Sequence, residues 1–161
     1  MLAPLPYSLV ETMLVTPVEG VFLKQRHVAR LRASAEELGF STCPTHAELT
    51  DALEREAARA DGPSRLRLLL DRSGALTFET APFAAHGHPR LDSAVLCARA
   101  ATPVYLVLDT APVPTRDERL MHKTTRRELY DEARARGGVG SGVVFDVLLY
   151  NESGEVTETS I

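Results

Sequence analysis

The hydrophobic period of this chain changes sharply near Asp61-Gly62-Pro63, and the change limits what the stretches on either side of it can become. Before it, Val28, Leu31, Ala35 and Leu38 recur every three or four residues. That spacing predicts a helix from His27 to Leu38, closed by Gly39 in the left-handed position that favours glycine. A second helix opens at Thr45, where Thr45 and Glu48 form a T-x-x-E capping box, and carries Leu49, Leu53 and Ala57 as its apolar stripe. After Pro63 the pattern suits strands instead. Arg65 to Leu70 and Ala75 to Thr80 flank the turn Asp71-Arg72-Ser73-Gly74, a hairpin signal. Alternation along the first of these strands puts Arg65, Arg67 and Leu69 on one face.

The flanks extend this pattern. Tyr7 to Leu14 reads as a strand with a polar interruption at Glu11-Thr12, followed by a turn at Pro17-Val18-Glu19-Gly20 and a short strand at Val21-Phe22-Leu23. Ala81 to Pro89 reads as a loop, and Ser93 to Arg99 and Val104 to Asp109 as strands. Thr110 to Thr115, with Pro112 and Pro114, is an extended connector, and the domain boundary is placed there, between 1–110 and 111–161. A helix over Arg126 to Arg136 is opened by a second capping box, Thr125 and Glu128, and stopped by Gly137-Gly138. Val143 to Tyr150 is an apolar strand, Asn151 to Glu155 a turn, and Val156 to Ile161 the beginning of another strand.

Composition excludes some classes of function. A net charge of −4 leaves no basic excess to neutralise phosphates, which argues against a nucleic-acid partner. No apolar run approaches the roughly 20 residues of a membrane span, and the first ten residues lack the basic region of a signal peptide. Cys43 and Cys97 form no C-x-x-C pair, which fits a reducing cytoplasm.

Several residues could carry chemistry. His86-Gly87-His88 offers two metal ligands without a third nearby and reads as a solvated loop. Gly138-Val139-Gly140-Ser141-Gly142 follows a helix and precedes a strand, the reverse of a dinucleotide-binding order, and reads as a flexible turn. Only two of the 18 basic residues are lysines, and one of them, Lys123, lies in Leu120-Met121-His122-Lys123-Thr124-Thr125-Arg126-Arg127. A primary amine can lose its proton and condense with an aldehyde; a guanidinium cannot. Arg30 and Arg32 stand two apart and cannot share a helix face, so one borders the buried stripe. Such an arginine either snorkels or forks onto a phosphate. Arg67 is either a solvent-facing strand residue or an anchor for a substrate carboxylate. Glu158 is one of three acids in the final stretch, whose default reading is a solvated edge.

Together these segments resemble the class IV aminotransferase family, the fold-type IV pyridoxal-phosphate enzymes. The match is carried, in order, by Leu9-Val10-Glu11-Thr12-Met13, by Arg26-His27-Val28-Ala29-Arg30-Leu31-Arg32-Ala33-Ser34-Ala35, by His122-Lys123-Thr124-Thr125 and by Asn151-Glu152-Ser153-Gly154-Glu155-Val156-Thr157-Glu158. Within the family, the H-K-T-T run and the Thr157-Glu158-Thr159-Ser160-Ile161 ending look most like the 4-amino-4-deoxychorismate lyases, in particular lyase domains fused behind aminodeoxychorismate synthase.

The resemblance implies an α+β fold of two domains: an N-terminal α/β sandwich and the first part of a C-terminal cofactor-binding domain. It implies pyridoxal 5'-phosphate as cofactor, Lys123 as the Schiff-base lysine and proton shuttle, Glu158 as the partner of the pyridine nitrogen, and Arg30 on the cofactor phosphate. Arg67 would lie near a substrate carboxylate, with His122 and Arg127 as further substrate-binding candidates. The expected reaction converts 4-amino-4-deoxychorismate to 4-aminobenzoate and pyruvate, a step of folate synthesis. Alternatives are a branched-chain or D-amino-acid aminotransferase and, in another class, an inactive pairing scaffold. A homodimer is expected, with fusion to or association with the synthase as a further expectation. Family members run on past the glutamate, so the second domain is expected to be incomplete and this polypeptide alone to bind the cofactor poorly.

Overall fold

The computed structural model describes residues 7–83 and 105–161. They form two compact units, one comprising 7–83 with His122–Thr125 and the other the remaining described residues.

The first unit is a sheet covered by two helices. Strands β1 (Leu9–Thr16), β2 (Gly20–Val21), β3 (Ser64–Leu70) and β4 (Leu76–Pro82) lie in the order β2-β1-β3-β4. All pairs are antiparallel, with Leu9 opposite Leu70, Glu11 opposite Leu68 and Thr12 opposite Arg67. Alternation decides the inner face. Leu9, Met13 and Val15 of β1 and Leu66, Leu68 and Leu70 of β3 pack with Val28, Leu31 and Ala35 of α1 (Lys24–Glu37) and Leu49 and Leu53 of α2 (His46–Ala57). Arg65, Arg67 and Leu69 take the other face, as period two requires. Thr45 caps α2 through the capping box expected of it, accepting from Glu48 N while the Glu48 carboxylate accepts from Thr45 N.

Several boundaries differ from the sequence reading, β1 among them, expected over Tyr7 to Leu14 and found over Leu9–Thr16. The strand at Val21-Phe22-Leu23 stops at Val21, because Leu23 takes a left-handed φ of 52° and turns the chain into α1 at Lys24. That first turn carries no apolar stripe, so its helicity left no periodic trace. Ala81 and Pro82, read as loop, continue β4 opposite Arg65 and Ser64. Proline is tolerated there because β4 is an edge strand.

The second unit holds β5 (Tyr105–Leu108), two helices, α3 (Glu118–Met121) and α4 (Glu128–Arg136), and strands β6 (Val144–Tyr150) and β7 (Val156–Thr159). β5 pairs parallel to β6, and β6 pairs antiparallel to β7. Val113, Leu129, Ala133, Val147 and Leu149 form its core. Gly137 ends α4 close against β6, where a Cβ would collide with the Val147 side chain.

The second capping box is a correction. Arg127 is the N-cap of α4 and no side chain caps it. Thr125 is engaged elsewhere: its Oγ1 accepts from Ser8 N at 3.0 Å and its own N–H donates to Ser8 O at 2.9 Å. The strand at Ser93 to Arg99 and the His86-Gly87-His88 loop lie outside the described residues.

Candidate active site

The edge of β1 away from β3 is covered at its end by β2 and at its start by the short run His122–Thr125. Leu9 and Thr124 oppose each other antiparallel, and Val10 N donates to Lys123 O at 2.8 Å. Opposed residues in such a bridge share a face. Leu9 faces the helices, so its partner Thr124 does too.

His122 is buried, with Nδ1 3.1 Å from Ser34 Oγ on α1 and Nε2 3.8 Å from Glu37. Lys123 is exposed. Arg67, on the face of β3 away from the helices, donates to the Glu79 carboxylate across the sheet at 3.1 Å, and both partners are exposed. A pair of this kind contributes about 0–1 kcal/mol, so a competing carboxylate can displace Glu79.

Arg30 sits on the helix side and does not snorkel freely. Its Nε donates to Glu11 Oε1 at 2.8 Å and its Nη2 to Glu11 Oε2. His27 Nδ1 lies 2.7 Å from the same Oε2. Glu11 occupies an inward position of β1 and is 1% exposed. Burial alone would push its carboxyl up, but the hydrogen bonds and charges of Arg30 and His27 outweigh that and hold it below its ordinary value. Arg30 remains 55% exposed at its side chain.

Glu158 and Arg127 belong to the second unit, where Tyr130 links them. The Tyr130 hydroxyl donates to Glu158 Oε1 at 3.2 Å, and the Arg127 guanidinium stacks 4.9 Å from the Tyr130 ring centre. Burial, then the Glu158 charge, pushes the Tyr130 phenol up to about 12, so it stays a donor at neutral pH. Arg127 also donates to Ser160 O. Ser160 Oγ in turn donates to Asp146, a buried carboxylate that Arg134 reaches at 3.1 Å.

Glu11 and Tyr130 escaped the sequence reading. Glu11 had a usable signal: it shares parity with Leu9 and Met13, so an inward carboxylate there demands a cation. Tyr130 had none, since its partner Glu158 is remote in sequence.

The architecture is that of fold-type IV aminotransferases. The solved structure of an amino-acid aminotransferase, so assigned provisionally, from Mesorhizobium loti superposes with a TM-score of 0.71 at 35% identity, covering 96% of this chain and 67% of that one. A T.th. branched-chain amino acid aminotransferase, solved with pyridoxamine 5'-phosphate, superposes with a TM-score of 0.69 at 17% identity, over 95% of this chain and 53% of that one. The model of the amino-transferase class IV family matches residues 8–161. The chain therefore belongs to the class IV aminotransferase family, which is pyridoxal-phosphate-dependent. A Schizosaccharomyces pombe protein, provisionally assigned as an aminodeoxychorismate lyase, is 33% identical over 142 residues. That match spans 88% of this chain and 55% of the relative's length.

Proposed function

We propose that this chain carries the cofactor-binding and proton-transferring residues of a pyridoxal-phosphate-dependent aminodeoxychorismate lyase. The observation that carries the reading is Lys123, exposed and held beside β1 by backbone pairing. The similarity to the S. pombe protein supports aminodeoxychorismate as the substrate.

The donor set suits the cofactor. Arg30 uses two of its five N–H groups on Glu11, which leaves three for a phosphate. Glu158 is an exposed carboxylate steadied by a phenol, a suitable acceptor for a pyridinium N–H. Lys24 is ion-paired with Glu54, and Lys123 is held beside β1. Bound there, pyridoxal phosphate would supply an electron sink for the carbanion at the substrate's amino-bearing carbon.

The chain's own residues would divide the work. Lys123 Nζ would hold the cofactor covalently and then take the proton from that carbon. Glu158 would keep the pyridine nitrogen protonated, and Arg30 would retain the phosphate. Arg67 would trade Glu79 for a substrate carboxylate, while Arg127 would act through its stacking on Tyr130. The role proposed for His122 is to fix the backbone beside Lys123 from the helix side. Loss of the proton and departure of the side chain as pyruvate leave an aromatic ring, 4-aminobenzoate, with no oxidant or added water required.

The similarity to the M. loti structure favours a second reading, an amino-acid aminotransferase. Product analysis separates the two. Aminodeoxychorismate should yield 4-aminobenzoate and pyruvate in equal amounts without a keto-acid acceptor. Keto acid formed from an amino donor, with no 4-aminobenzoate, would overturn the lyase. A homodimer and association with a synthase are parts of the same proposal; sedimentation checks them.

A further inference from the structure

The mechanism above does not use Glu11, the most deeply buried acid of the first unit. His27 and Arg30 stand three residues apart on α1, so they share a helix face. Both reach Glu11 from that face, His27 Nδ1 at 2.7 Å and Arg30 Nε at 2.8 Å, with Arg30 Nη2 on the second oxygen. The carboxylate is rooted in β1, two residues from Leu9, whose partner across the bridge is Thr124, next to Lys123. One strand thus carries both the backbone support of Lys123 and the anchor of Arg30.

A guanidinium gripped through Nε and Nη2 cannot rotate about its last bonds without breaking two hydrogen bonds. Its opposite edge, with three N–H groups, is fixed in direction. An arginine on a free side chain would have to lose its rotamer entropy on binding an anion; this one has already lost it.

We infer that Glu11, with His27 as its second partner, is a positioning residue that orients Arg30 for a phosphate monoester, the cofactor's phosphate group. The inference rests on the proposed role of Arg30. Glu11 itself touches no ligand: it acts through Arg30.

The test compares two vitamers that differ only in the phosphate. Lys123 labelling is measured at increasing pyridoxal phosphate or pyridoxal, each trapped with borohydride and read by peptide mass spectrometry. The preference for pyridoxal phosphate is the ratio of the two half-saturating concentrations. Any loss of folded protein affects both vitamers alike and cancels in the ratio. Glu11→Gln should lower the preference on the order of tenfold, the scale seen when partners that orient metal ligands are removed. Glu11→Asp should restore part of it. In an Arg30→Ala background Glu11→Gln should change nothing further. A preference unchanged by Glu11→Gln while Arg30→Ala removes it would overturn the positioning role and leave the phosphate role of Arg30 intact. A preference unchanged by Arg30→Ala, or absent from the unsubstituted chain, would overturn both. Should Glu11→Gln prove insoluble, Glu11→Asp carries the test: a lowered ratio supports the role and an unaltered one ends it.

Discussion

A carboxylate on the apolar face of a sheet must be met by cations or be expelled, and Glu11 is met by two. Leaving such a group buried and unpaired would cost several kcal/mol, which explains why His27 and Arg30 both turn toward it. The same linkage sets a pH dependence. Glu11 titrates below its ordinary 4.5 in the folded chain, so its contribution to stability is complete above that pH and is lost as pH falls through the lower folded value. Urea midpoints of the chain and of Glu11→Gln should therefore converge as pH drops below 4.5. A constant gap would contradict the pairing. Tyr130 predicts the opposite limb. Its phenol rises from 10.0 to about 12, so the stability it confers is present below pH 10 and disappears as pH climbs toward 12. Tyr130→Phe should lack that alkaline loss. At this scale the sequence raises Lys123 as a candidate because its chemistry singles it out from arginine. Arg30 was legible only as a choice between snorkelling and an anion, because the partner that holds it comes from another strand.

Elements were legible where a period or a cap leaves a local trace. The stripe of Leu49, Leu53 and Ala57 behind Thr45 marked α2, and the alternation of Ser64 to Leu70 marked β3. The two T-x-x-E patterns then part company. Thr45 caps α2 in full. Thr125, with Glu128 at the same spacing, is drawn to Ser8 by strand pairing, a contact across more than a hundred residues that no local pattern encodes. Thr45→Ala should lower stability by about 1 kcal/mol in denaturant melts. Thr125→Ala should leave hydrogen exchange in the first turn of α4 unchanged and instead speed exchange at the Ser8 amide. Faster exchange in that first turn would restore the capping reading.

For the whole molecule, the family match over residues 8–161 agrees with the ordered motifs better than any one motif could. His122–Thr125 shows how the chain is organised: it follows β5 in sequence but pairs with β1 and joins the first unit. The helices and the central hairpin were readable because their contacts are local. The placement of Lys123 beside β1 was not, because it joins two distant stretches by main-chain hydrogen bonds that any sequence could make. The account turns on where the cofactor's aldehyde is captured, and borohydride reduction at saturating pyridoxal phosphate, followed by peptide mass spectrometry, reads that position directly. It predicts a pyridoxyl group on Lys123, absent from Lys24 and abolished by Lys123→Arg. Equal labelling of the two lysines, or labelling indifferent to Lys123→Arg, would contradict it.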